Sequence, residues 1–138
     1  MEIHTDYYSL IPYPNLLYIE SFLAWDERIV MDYAKDIKNL ILNHYQEKPW
    51  AILHNGTDWG LLTPEGKRLL TQLINSKITN TITHHAYVTG QSEIKKWLSE
   101  NAFKTVKTYV SEIFDTCEDA EAWLASFGYH RPSQDPEQ

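Results

Sequence analysis

Hydrophobic and polar positions along the chain fall into blocks whose period changes. Tyr7 to Tyr13 and Leu16 to Leu23 are β-rich and are separated by Pro14-Asn15. This predicts an antiparallel hairpin, with Pro12 and Pro14 confined to its turn or edge. From Asp26 the spacing shifts to three and four. Ile29, Tyr33, Ile37, Leu40, Ile41 and His44 fall on one stripe, while Glu27, Lys35, Asp36 and Lys38 point elsewhere. The pattern is that of an amphipathic helix capped by Asp26 and stopped by Pro49. His44, on the apolar stripe, reads as a satisfied core histidine.

Trp50 to His54 has the continuous apolar character of a short buried strand, and Asn55-Gly56-Thr57-Asp58-Trp59-Gly60 has loop composition. Thr63-Pro64-Glu65 opens a second helix: Thr can cap, Pro is tolerated in the first turn, and Glu favours the positive end. Leu69, Leu70, Leu73 and Ile74 form its stripe. A further strand is expected over about Thr81 to Val88. Ser92 then opens a helix with Ile94, Trp97 and Leu98 inward. Val106 to Phe114 reads as a fifth strand. Thr116, with Asp119 three residues on, resembles a capping box before a last helix that buries Trp123, Leu124 and Phe127 and closes at Gly128.

The predicted order is β-β-α-β-α-β-α-β-α. A helix follows every strand after the hairpin, so strands two to five should run parallel with right-handed crossovers. The expected class is α/β, a mostly parallel five-stranded sheet with an N-terminal antiparallel hairpin. The 138 residues suit one domain, placed at residues 1–130. Residues 131–138, with no apolar side chain to anchor them, read as a mobile tail.

Composition narrows the functional classes. The net charge of −7 disfavours a nucleic-acid backbone or an anionic membrane as partner. One cysteine, Cys117, excludes an internal disulfide framework and a CxxC zinc module. No apolar run approaches a membrane span, and the first residues lack a basic-then-apolar signal pattern, so a cytoplasmic protein is expected. Nucleotide phosphate loops and the GxSxG elbow are missing from the sequence, and no cofactor is expected.

The hairpin entry, Ala86-Tyr87-Val88-Thr89-Gly90 leading into Ser92-Glu93-Ile94-Lys95-Lys96-Trp97, and the ending Phe114 to Leu124 together carry a resemblance. Over roughly Thr5 to Phe127 the order of elements resembles the STAS domain, shared by sulfate-transporter tails and bacterial anti-sigma-factor antagonists. More narrowly, it resembles the SpoIIAA-like group of small bacterial proteins. The resemblance implies a non-catalytic regulatory or interaction domain that docks a partner near the start of the helix after the third strand. In the antagonists that helix begins with a phosphorylatable Ser followed by Gly. Here the stretch is Leu62-Thr63-Pro64-Glu65-Gly66: Gly66 matches the glycine, and Glu65 stands where the serine would be. Thr63 offers a hydroxyl in another register, where it is the natural N-cap. The resemblance therefore implies the docking surface without the phospho-switch.

In a parallel sheet the carboxyl ends of the strands converge on one rim, the usual ligand side. The residues expected to form a binding site there are Asp58, Trp59, Thr63, Glu65, Gly66, Thr89 and Ser92. Capping alone explains Thr63, Ser92 and Thr116. Trp59, in a Gly-flanked loop, reads either as an exposed contact anchor or as a ring folded back over the core; burial is the default for a large aromatic. His84 and His85 face opposite sides of a strand and should not share a metal ion, with or without His54. Cys117, beside Glu118 and Asp119, reads as an inert helix-start cysteine. Lys95-Lys96 reads as a solvated face. An acid/base pair of His54 and Asp58 rests only on their nearness in one loop.

Two partner classes follow. One is a protein partner or a second copy of the chain. The other is a small apolar, lipid-like ligand carried by the protein. The first strands hold Tyr7, Tyr8, Tyr13, Tyr18, Phe22 and Trp25, more aromatics than an exposed face needs if helices cover one side of the sheet only. Alternation of those rings into the core explains them equally well.

Overall fold

The computed structural model describes residues 2–77, 80–97 and 109–131. The strands are β1 (Ile3–His4), β2 (Tyr8–Pro12), β3 (Leu16–Ser21), β4 (Leu23–Trp25), β5 (Trp50–Asn55), β6 (Trp59–Leu62), β7 (Ile82–Val88) and β8 (Val110–Phe114). The helices are α1 (Glu27–His44), α2 (Pro64–Ile74), α3 (helical at residues 93–97) and α4 (Cys117–Ala125). Six strands form one sheet in the order β1-β2-β3-β5-β7-β8. The β2–β3 pair is the expected antiparallel hairpin, and β3, β5, β7 and β8 run parallel.

Two features go beyond the expected five strands. Ile3–His4 adds an antiparallel edge strand beside β2. The chain leaving β3 turns at Leu23, whose φ of +62° is left-handed, and forms with β6 a separate parallel pair. Trp59 and Gly60, read as loop from the sequence, are thus the first half of a strand in the fold.

Cap chemistry explains the helix starts. The Asp26 carboxylate accepts from the Arg28 and Ile29 N–H groups, the Thr63 hydroxyl from Gly66 N–H, and the Thr116 hydroxyl from Asp119 N–H. Because β4 and β6 are parallel and Thr63 N–H donates to Trp25 O, the starts of α1 and α2 lie side by side. Gly66 sits between them: a β-carbon there would meet the Thr63 hydroxyl oxygen at 3.0 Å and the backbone of Asp26 at 3.4 Å.

α1 ends well before Pro49. Tyr45 leaves the helix to stack on Trp50 at 4.4 Å between ring centroids, and its hydroxyl donates to the carbonyls of Tyr13 and Leu16. The burial this brings goes to Tyr45, so His44 is exposed, contrary to its expected core role.

Helices cover both faces of the sheet, which corrects the one-sided arrangement. On the front, α1 and α2 pack against Leu10, Leu17, Ile19, Trp50, Ile52 and Ile82. On the back, Ala120 and Leu124 of α4 pack against Leu16, Ala51, Leu53, Ala86 and Val88. Tyr8, Tyr18 and Trp25 are buried, so these early aromatics alternate into the core. Three expected inward residues are instead largely exposed: Ile94 (67%), Trp97 (64%) and Phe127 (50%). Phe127 lies past the end of α4, where the chain is already turning toward Gly128. The expected strand from Val106 begins, within the described residues, at Val110. Its first positions and Leu98 lie outside the described residues.

The chain after α4 returns over the back of the sheet. Asn15 donates to Gly128 O, Thr83 donates to the Tyr129 hydroxyl, and Arg131 pairs with Glu121 while its guanidinium lies 4.3 Å above the Tyr18 ring. No described helix is long and apolar enough to cross a membrane.

Candidate functional site: a rim and a cavity beneath it

The expected site residues separate into two groups. Asp58, Thr89 and Ser92 gather at the carboxyl ends of the parallel strands. There Gly56 N–H donates to Val88 O and Thr89 N–H to Phe114 O, tying the ends of β5, β7 and β8 together. Lys95 closes the rim, its ammonium donating to Gly56 O at 3.0 Å and Thr57 O at 2.8 Å. Burial pushes the Lys95 ammonium below its ordinary range, and the nearby Asp58 carboxylate opposes that shift. Ser92 accepts from Lys95 N–H, and Thr89 is buried and donates to Gly90 O.

Thr63, Glu65 and Gly66 lie beyond the far end of β6, Thr63 about 16 Å along the extended chain from Asp58. Thr63 is a cap, and Glu65 is exposed and forked onto Arg68, which holds its carboxyl below the usual range. Trp59 connects the groups, and its ring turns inward. It contacts Trp25 at 4.9 Å and His54 at 5.1 Å between centroids. The expectation of a ring folded back over the core therefore describes Trp59 better than that of a contact anchor. What the β4–β6 ledge presents outward instead is Leu23 and Leu61, 58% and 64% exposed.

Beneath the rim, between α2 and the front of the sheet, lies a cavity of about 510 Å³. Ile37 and Ile41 of α1, Leu70, Leu73 and Ile74 of α2, and Ile52 and Ile82 of the sheet make most of its wall. Trp59, His54, His85, Tyr87 and Tyr109 supply its polar edges, and Lys67 and Lys95 its charged ones.

The histidines follow from register. His54 and Tyr87 are paired across β5 and β7, as are Ile52 and His85, so all four side chains point to the front. His54 and His85 are buried with ring centroids 6.3 Å apart. His54 Nε2 lies 2.8 Å from the Ser21 hydroxyl. Burial, with a further push from His85, lowers His54 to about 3, and burial lowers His85 to about 4. Both imidazoles are therefore neutral at neutral pH. His54 bonds Ser21 inside the protein while Asp58 stands exposed at the rim, so the suggested acid/base pair is not formed.

His84 faces the back, stacked on Phe127 at 4.0 Å, as the alternation of a strand requires. Among the described residues no group of three His, Cys, Asp or Glu side chains could hold a metal ion. Sequence reasoning missed the cavity itself and the Lys95 tether. The available signal was period two within β5 and β7, where His54, His85 and Tyr87 interrupt apolar strands on one face.

Comparison with solved structures decides the architecture. An uncharacterized protein of the DUF3478 family with a SpoIIAA-like fold, from Shewanella loihica PV-4, superposes with a TM-score of 0.69, covering 90% of this chain and 98% of that one. The fold is SpoIIAA-like. The anti-sigma factor antagonist SpoIIAA in its unphosphorylated form is also similar, at a TM-score of 0.56 over 88% of this chain and 98% of that chain. Sequence identity to the two is 12% and 14%, so the likeness is one of fold. No family model and no curated protein matches the sequence. The SpoIIAA-like arrangement matches the α/β class and the antiparallel entry expected from the element order.

Proposed function

We propose that this protein is a non-catalytic regulatory or protein-interaction domain that docks a partner along the ledge and rim from Asp58 to Gly66, with Thr89 and Ser92 shaping the rim behind it. The observation that carries the reading is the pair of exposed leucines, Leu23 and Leu61, on a two-stranded ledge bordered by Asp58 and Glu65. Apolar side chains flanked by charge, on a hydrogen-bonded element rather than a loose loop, suit a protein contact. One structural neighbour, SpoIIAA, is an anti-sigma factor antagonist. Thr63 is used as a cap and Glu65 carries a permanent negative charge, so docking here works without a phosphorylated serine at that point. A buried His54 near 3 is too weak a base for proton transfer at neutral pH, in keeping with a binding role.

The test is affinity capture with wild type, Leu61→Lys and Glu65→Lys, each checked for folding by circular dichroism, together with sedimentation analysis of the free protein. A defined partner, or a dimer, that is held by wild type and lost in both folded variants is expected. A partner held equally by all three places docking elsewhere.

A second reading, a carrier of a small apolar molecule, is favoured by the cavity. Its volume of about 510 Å³ falls within the ~300–1,000 Å³ of pockets that enclose small ligands.

A further inference from the structure

We propose that the cavity takes an apolar carboxylic acid, its chain lying against Ile52, Leu70, Leu73 and Ile82 and its carboxylate held at the mouth by Lys67 and Lys95. This rests on the carrier reading and specifies its ligand.

The chain carries a net charge of −7, yet among the described residues lining the cavity the charged side chains are two lysines and no carboxylate. That local reversal of sign is what an anionic headgroup requires. The lysines stand on different walls, Lys67 on α2 and Lys95 on α3. An ammonium has three N–H donors. Lys95 uses two on Gly56 O and Thr57 O, which leaves one N–H for the incoming carboxylate, in competition with the Asp58 carboxylate nearby. Lys67 is exposed on α2 and also lines the cavity.

The histidines of the cavity wall cannot take the charge. His54 and His85 are buried, and an imidazole kept neutral offers a carboxylate no counter-charge. Burying an unpaired anion is strongly unfavourable, so the head stays at the lysines and the apolar tail goes in. Apolar walls of this extent hold water poorly, and a tail that displaces it gains hydrophobic free energy in proportion to the area covered.

The test uses wild-type protein with decanoate, decan-1-ol and decyltrimethylammonium, read by isothermal titration and by the NMR shifts of the Trp59 indole and the His54 and His85 rings. Decanoate is expected to bind at one site and to move all three ring signals. A charge-assisted contact should make it about tenfold tighter than the alcohol, and the cationic amphiphile should be the weakest. Lys67→Glu, an exposed change that leaves the core intact, should abolish the preference for decanoate while the alcohol still binds. Equal binding of acid and alcohol to wild type, or a preference that survives Lys67→Glu, overturns the acid assignment and leaves the carrier reading standing. Absence of saturable binding by any of the three, or binding that moves none of the ring signals, overturns both.

Discussion

His54 Nε2 and the Ser21 hydroxyl are 2.8 Å apart in the buried front of the sheet, so the imidazole is held by a neutral hydrogen bond. The folded protein keeps His54 and His85 unprotonated down to about 3 and about 4. In the unfolded chain both accept protons near pH 6.5. Between those limits the unfolded state binds more protons, and stability falls as pH falls, at up to ~1.4 kcal/mol per pH unit for each histidine. Thermal unfolding followed from pH 7 to pH 4.5 should therefore show a steadily decreasing Tm. His54→Asn should flatten that dependence; a wild-type Tm that is constant over this range contradicts neutral burial.

Gly56 is where β5 leaves the sheet, and its backbone runs against Tyr87. A β-carbon there would stand 2.7 Å from the Tyr87 ring and hydroxyl. Gly56→Ala should cost about 1–3 kcal/mol in chemical denaturation, the range for overpacking a filled site. Shortening the obstruction with Tyr87→Leu should make the two changes non-additive, the double variant being more stable than the sum of the singles implies. Strict additivity would mean that the Tyr87 ring swings away freely.

Thr63 was a candidate both for docking and for capping, and its oxygen accepts from Gly66 N–H at 3.1 Å. Thr63→Ala should lower stability by about 1 kcal/mol, with Thr63→Ser near wild type, because only the hydroxyl is needed for the cap. Thr116→Ala, which removes the same bond at α4, should cost a similar amount. Urea unfolding midpoints at unchanged slope measure both.

These caps show what the chain reveals locally. Asp26, Thr63 and Thr116 were legible because a cap depends on residues two or three positions away, all adjacent in sequence. The parallel strands and the hairpin were legible from apolar runs punctuated by helical periods. The ledge was not, because β4 and β6 are three and four residues long and pair only through a left-handed turn at Leu23. His44 was misjudged because tertiary stacking on Trp50 draws Tyr45, one residue later, into the core. The cavity was invisible for a related reason: its walls come from α1, α2, β5 and β7, and only register across the sheet brings His54, His85 and Tyr87 to one face.

Trp25 and Trp59 are in edge-to-face contact, yet their indole nitrogens fare differently. Trp25 Nε1–H donates to the carbonyls of Phe22 and Tyr7, at 3.0 and 3.2 Å. Trp59 Nε1 is buried without a hydrogen-bond partner among the described residues. Replacing either ring by Phe loses packing, but Trp25→Phe also takes the indole donor from the Phe22 carbonyl and from that of Tyr7, which keeps the Phe22 N–H at 2.9 Å, whereas Trp59→Phe deletes a donor that was already unsatisfied. A buried unsatisfied group costs ~1–3 kcal/mol, so its removal offsets part of the packing loss at Trp59. Trp25→Phe should therefore be more destabilising than Trp59→Phe by roughly that amount. Guanidinium unfolding of the two single variants decides the order; Trp59→Phe as the more damaging change would show that its N–H is satisfied in solution.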